Sequence, residues 1–167
     1  MGRLDSKGTA LVLACGPGRF TKFYAKNFEK VVSSDILDAN LMQKSHSVAN
    51  NYVICSDLND ICTNLSDWKF DYVDAQWALC FAEDLNGFIQ QLKSILNPGA
   101  VIFVKENVES ESPNTNPIKY GSIRPKDRYK DVFESFKEEM FEDFPMWDSV
   151  FVAAYKFEAL PLKEHSQ

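Results

Sequence analysis

Gly16 and Gly18 stand where an apolar run, Leu11-Val12-Leu13-Ala14-Cys15, gives way to a helical pattern over residues 20–28. Glycines there let the backbone turn sharply and let a ligand approach it closely. The free N–H groups that open the following helix attract an anionic group. Asp35 closes the second apolar run, about 20 residues further on, where an acid accepts hydrogen bonds from both hydroxyls of a ribose; its alternative place is a helix N-cap. Asp57-Leu58-Asn59-Asp60 follows a third run. Leu58 suits the face of a flat ring and a polar neighbour suits its edge, the alternative being an ordinary loop. Taken together, these positions describe a generic cradle for a phosphate or a nucleoside.

Such a cradle needs a sheet whose strand ends converge. Apolar runs alternate with amphipathic stretches along the chain, which implies parallel β-α-β units. Strands are expected at residues 10–14, 31–34, 52–56, 70–76, 100–104 and 150–157. Helices are expected at 20–28, with Phe20, Phe23, Tyr24 and Phe28 on one stripe, and at 39–48. A further helix, capped by Asp84, carries Leu85, Phe88, Ile89, Leu92 and Leu96 at helical spacing until Asn97-Pro98-Gly99 stops it. Pro125 suits the first turn of a last helix bearing Tyr129, Val132, Phe133 and Phe136. A strand at 140–144 followed directly by one at 150–157 predicts a hairpin, hence an antiparallel edge on a mostly parallel sheet. Residues 109–121, rich in Ser, Pro and Asn, read as a long loop over the ligand face. There is no internal repeat.

With 167 residues the chain reads most simply as one domain, long enough to bury a core. Its net charge of −6 disfavours a nucleic-acid backbone as a direct partner and suits a basic peptide. No apolar run is long enough to span a membrane and no signal-peptide pattern opens the chain. Cys15, Cys55, Cys62 and Cys80 lie in apolar sequence without a C-x-x-C pair, as expected of reduced, buried thiols in the cytoplasm or nucleus. With only His46 and His165, no zinc site is expected.

Ala14-Cys15-Gly16-Pro17-Gly18-Arg19-Phe20-Thr21 and Asn97-Pro98-Gly99 resemble class I S-adenosylmethionine-dependent methyltransferases over nearly the whole chain. The resemblance implies an α/β, Rossmann-like fold: a mostly parallel seven-stranded sheet with an antiparallel edge strand and helices on both faces. Asp71-Tyr72-Val73-Asp74-Ala75-Gln76-Trp77 and Val104-Lys105-Glu106-Asn107 are similar, more narrowly, to the protein α-N-terminal methyltransferases, which methylate the free amine of Xaa-Pro-Lys termini. By that resemblance Gly16, Gly18 and Arg19 hold the methionine end of S-adenosylmethionine, Arg19 through a charge-assisted contact to its carboxylate. Asp35 binds ribose, Leu58 and Asn59 frame adenine, and Gln76 sits near the methionine part. Trp77 and Glu106 contact the peptide, Asn107 orients its amine, and Lys105 is structural.

Methyl transfer to a neutral amine is an in-line attack that depends chiefly on positioning. An α-amine titrates near pH ~8, so Asn107 has only to align its lone pair while a carboxylate takes the proton. Glu106 and Asp127 are the candidates for that carboxylate. Glu109 and Glu111 read first as part of a solvated charged loop, with contact to the substrate's lysine as the alternative. The chain departs from the family pattern in Val12, where the first motif carries an acid, and in Ala14, where it carries a glycine. It departs again in Phe81, where the N-terminal family has a histidine, and near residues 120–124, where an acidic pair is missing. The family's N-terminal lid helices have no counterpart in this sequence; the expectation is either that a partner subunit covers that face or that the sequence is shortened there. Two alternatives follow: a catalytically inactive scaffold subunit, supported by Val12, Phe81 and the missing lid, and a methyltransferase acting on a small molecule or RNA.

Overall fold

The computed structural model of the chain describes residues 8–37, 47–108, 121–143 and 150–158. Strands β1 (Thr9–Val12), β2 (Lys30–Asp35), β3 (Asn51–Cys55), β4 (Phe70–Gln76), β5 (Leu96–Asn107), β6 (Lys137–Asp143) and β7 (Val150–Lys156) form one sheet in the order β3-β2-β1-β4-β5-β7-β6. The pairs from β3 through β5 are parallel. β7 runs antiparallel between β5 and β6, as the absence of a helix between the last two strands predicted. The order reverses between β1 and β4. In open α/β sheets ligands bind at the carboxyl ends of the strands at such a reversal, so the ends of β1 and β4 frame the site.

Side-chain alternation on the strands builds two cores. Ala10, Val12 and Val31 pack with Tyr24 of α1 (Thr21–Asn27) and with Phe28, which follows it. Leu11, Leu13, Val32, Val73, Ile102 and Val104 belong to a larger core. It is completed by α2 (Ile61–Asn64), α3 (Leu85–Ser94), α4 (Lys126–Val132) and a short 3-10 turn at Leu79–Phe81. Helices thus cover both faces. The stripe Leu85, Phe88, Ile89 and Leu92 of α3 is buried as its spacing predicts.

Several local expectations are corrected. Asp84 stands at the N-cap of α3 but makes no side-chain capping bond. Leu96 does not continue that helix; the chain enters β5 there. Asn97-Pro98-Gly99 lies in a bulge of β5, where the register jumps from Phe70↔Leu96 to Tyr72↔Val101. Asn97 anchors the bulge by donating to the Asp71 carboxylate at 2.8 Å, and Gly99 adopts φ +86, a conformation only glycine takes without strain. Phe136 lies beyond the end of α4. Of the four cysteines only Cys62 and Cys80 are buried; Cys15 is half-buried, and Cys55, ending the edge strand β3, is exposed. The expected helix at 39–48 falls almost wholly, and the loop at 109–121 all but Gly121, outside the described residues, as do His46 and His165. Among the described residues no helix is long and apolar enough to cross a membrane, and no cluster of side chains has the makings of a metal site.

Candidate functional site

Two cavities open at the strand ends and share Ala14, Gln76 and Trp77 as walls. The larger, about 870 Å³, is bounded by Asp35, Ile36 and Leu37 after β2, Asp57, Leu58 and Asn59 after β3, and Cys80 to Glu83 around the 3-10 turn. The smaller, about 190 Å³, lies behind the glycine turn, between Gly16, Arg19 and Asp74. Asp35, Leu58 and Asn59 are therefore brought to one chamber, and Gly16 and Arg19 to the other. Gln76 and Trp77 stand between. Gly18 lines neither; it is buried at φ +79, shaping the turn.

Hydrogen bonds fix this arrangement. The Asp35 carboxylate accepts the N–H of Gly16 at 2.7 Å and of Leu37 at 2.9 Å. It thereby ties the glycine turn to the end of β2. Asn59 is committed to the protein at both ends of its amide. Its oxygen accepts the N–H of Glu83 at 2.9 Å, and its nitrogen donates to Asp57 at 2.7 Å, so it joins two walls of the larger cavity. Ala14 and Trp77, the residues that turn the chain out of β1 and β4, both have positive φ, 48° and 50°. Such conformations are uncommon for residues with a Cβ and concentrate at functional sites.

The two motifs after β4 and β5 meet in space. The Trp77 N–H donates to the Lys105 carbonyl at 2.7 Å. Its indole N–H donates to the Asn107 side-chain oxygen at 3.4 Å, and the Lys105 ammonium lies 4.4 Å from the centre of its ring. Lys105 thus packs on the cavity wall, a cation–π contact. Asn107 reaches the site through Trp77 and lines neither cavity.

Glu106 is placed differently from expectation. It is fully enclosed, and its carboxylate accepts the N–H of Leu79 at 2.6 Å, holding the 3-10 turn rather than facing a substrate. The alternation of β5 explains this: Ala100, Ile102, Val104 and Glu106 all point into the large core, while Lys105 and Asn107 point to the other face. Burial pushes its carboxyl up to about 8. Asp127 is exposed on α4 and lines neither cavity, so neither proposed proton acceptor is positioned there; Glu109 and Glu111 fall outside the described residues. Burial also pushes the Cys80 thiol up to about 12, which leaves it inert as a nucleophile. The residue missed in the sequence is Asp74. It is a charged side chain flanked by Val73 and Ala75 in a central strand, and that position was its available signal.

A family described as "Methyltransferase domain" matches residues 11–104, more than half of the chain. This chain belongs to that methyltransferase family. It is 27% identical to the phosphoethanolamine N-methyltransferase 1 of Triticum aestivum, over 70% of this chain and 25% of that protein. It is 28% identical to the malonyl-[acyl-carrier protein] O-methyltransferase of Enterobacter lignolyticus, over 61% of this chain and 41% of that one. The chain thus spans a quarter to two-fifths of the length of these relatives. Among solved structures, the fold is shared with a SAM-dependent methyltransferase from Aquifex aeolicus (TM-score 0.74, 17% identity, 92% of this chain and 84% of that one). It is shared as well with the N-methyltransferase NodS of Bradyrhizobium japonicum, solved with S-adenosyl-L-homocysteine (TM-score 0.71, 14% identity, 89% and 77%).

The cofactor of such an enzyme is S-adenosylmethionine, and the residues fit it. A nucleoside bearing an amino-acid tail is a two-lobed ligand, and the site has two adjacent chambers of unequal size that share Ala14, Gln76 and Trp77 as walls. The larger is lined by Asp35 and the apolar Leu58, the smaller by Arg19 and Asp74.

Proposed function

We propose that this methyltransferase acts on an amine nitrogen, with the α-amino group of a protein N-terminus as acceptor. The observation that carries the reading is the contact of Trp77 with Lys105 and Asn107, through which the Gln-Trp and Lys-Glu-Asn segments form one wall. S-adenosylmethionine, when bound, supplies a methyl group on a sulfonium that is already a good leaving group. The chain's own work is positioning. Gly16 and Arg19 hold the methionine end, Asp35 the ribose, and Leu58 and Asn59 flank the base. Trp77 excludes water beside the acceptor. The Asn107 oxygen has two lone pairs, so it accepts from the acceptor amine while retaining the indole. Glu106 acts from behind, by fixing the turn.

The test compares Xaa-Pro-Lys peptides with free and acetylated amino termini. Methylation confined to the free peptide supports the reading, and equal methylation of both rules out α-amine chemistry. Asn107→Ala is expected to lower kcat about 100-fold, the scale of a misplaced reacting group, with cofactor affinity retained; unchanged turnover removes Asn107 from the role. A second reading, a small-molecule acceptor, is favoured by the volume of the larger cavity, about 870 Å³, and by the names of the two curated relatives. Turnover with ethanolamine-type amines and none with peptides would establish it.

A further inference from the structure

Asp74 carries a buried carboxylate. It lies on β4, in register with Val12 of β1, at the reversal of strand order. It is 2% exposed. Its Oδ2 accepts from the Gln76 amide at 3.2 Å and the Tyr24 hydroxyl bonds to the carboxylate, while Oδ1 has no hydrogen-bond partner among the described residues. A buried acceptor left unpaired is a cost that a fold retains only for a reason. Here Asp74 is among the residues lining the small cavity, whose wall also includes Arg19. One cation and one anion facing a chamber too small for a nucleoside are the complement of a zwitterion.

We propose that Asp74 receives the aminium group of the cofactor's methionine end, opposite Arg19, which takes the carboxylate. The proposal rests on the S-adenosylmethionine reading of the site. It also has a consequence in pH. The titratable or charged groups facing Asp74 are Tyr24 from α1, Tyr72 on β4, and Cys15 and Arg19 of the glycine turn. Burial holds both phenols far above neutrality, and arginine stays charged. Burial raises the Asp74 carboxyl to about 6, so its proton is lost between pH 5 and 7. An aminium partner favours the ionised form, so binding at low pH must release that proton. Affinity is then about tenfold weaker at pH 5 than at pH 7, the ratio of ionised fractions for a group titrating near 6.

Calorimetric titration tests this with two neutral-sulfur probes: S-adenosylhomocysteine, which carries the amino-acid tail, and methylthioadenosine, which lacks it. Asp74→Asn is expected to weaken S-adenosylhomocysteine at least tenfold and to leave methylthioadenosine unchanged. Wild-type protein is expected to show the tenfold pH effect for the first probe alone, with a proton release visible as a dependence on buffer ionisation heat. This arm needs no variant to fold. Equal affinity of wild type and Asp74→Asn for S-adenosylhomocysteine, with no proton release, overturns the proposal while leaving the cofactor reading intact. Weakening only for S-adenosylmethionine places the carboxylate at the sulfonium and overturns it too. Failure of the wild type to bind either probe defeats the cofactor reading and the proposal together.

Discussion

Glu106→Gln separates the wall of the site from its chemistry. In the native protein the Glu106 side chain is fully buried, with one oxygen on the Leu79 N–H and the other unpaired among the described residues. Burial raises its carboxyl from 4.5 to about 8. The folded state therefore holds a proton that the unfolded chain has lost, and stability falls as pH rises from about 4.5 to 8. The slope approaches ~1.4 kcal/mol per pH unit where the two states differ by a whole proton. Integrated between pH 5 and 8, this group costs about 3 to 4 kcal/mol, of which about 1 falls between pH 7 and 8. Asp74 acts in the same direction, but its carboxyl titrates near 6, so its share, about 1 kcal/mol, is nearly complete by pH 7. The interval from pH 7 to 8 thus isolates Glu106. Urea unfolding followed by tryptophan fluorescence at pH 5, 6, 7 and 8 reads the effect directly. Glutamine keeps the oxygen that accepts from Leu79 and has no proton to lose, so the variant should lose the slope above pH 7. A Glu106→Gln curve parallel to the wild-type curve between pH 7 and 8 would refute the reasoning.

Two further substitutions probe the turn itself. Asp35→Ala leaves the N–H groups of Gly16 and Leu37 without their acceptor; a loss of ~1–3 kcal/mol in unfolding free energy is expected, with weakened methylthioadenosine binding, and unchanged affinity would remove Asp35 from the ribose role. Ala14→Gly should be neutral or stabilising by up to ~1 kcal/mol, because relief of a positive φ of 48° offsets the added freedom of the unfolded chain; a thermal-melt loss of the size seen for ordinary Ala→Gly changes would show that Ala14 is not strained.

The elements whose identity rests on periodicity were legible. Leu85, Phe88, Ile89 and Leu92 mark one helical face, and Phe70–Gln76 has the bounds its composition implies. The place of Asp35 at the end of β2, tied to the glycine turn through the Gly16 N–H, was legible because strand end and glycine turn together fix it. Glu106 was misjudged because a motif names a position, whereas burial depends on which face of β5 that position takes. Its parity with Ile102 and Val104 was in the chain, and counting it would have turned Glu106 inward. Asn97-Pro98-Gly99 was misjudged for a different reason. Turn residues break a helix and a strand alike, and only the register with β4 shows that they form a bulge inside β5. The Asn59 amide, bonded across to Glu83, depends on how two distant loops dock, which no local pattern carries.

Val12 and Asp74 bear on how far the departures from the family pattern weaken the site. The acid expected on β1 is absent, yet its register partner on β4 is a buried carboxylate. Adjacent parallel strands place paired side chains on the same face, so an acid moved across one strand spacing, about 5 Å, still serves the same end of the sheet. The move has a physical consequence. A carboxylate at the end of β1 would sit beside the N–H groups of the glycine turn, whereas Asp74 lies one strand away, against Tyr24 and Tyr72, where burial holds it partly protonated near pH 6. The strand that carries the acid therefore sets the pH at which the pocket gains its negative charge opposite Arg19. On this argument Val12 marks a site whose charge is relocated and tuned, and the tenfold change in S-adenosylhomocysteine affinity between pH 5 and 7 is its signature. A pH-independent affinity in the wild type would mean that the acid was lost and not moved.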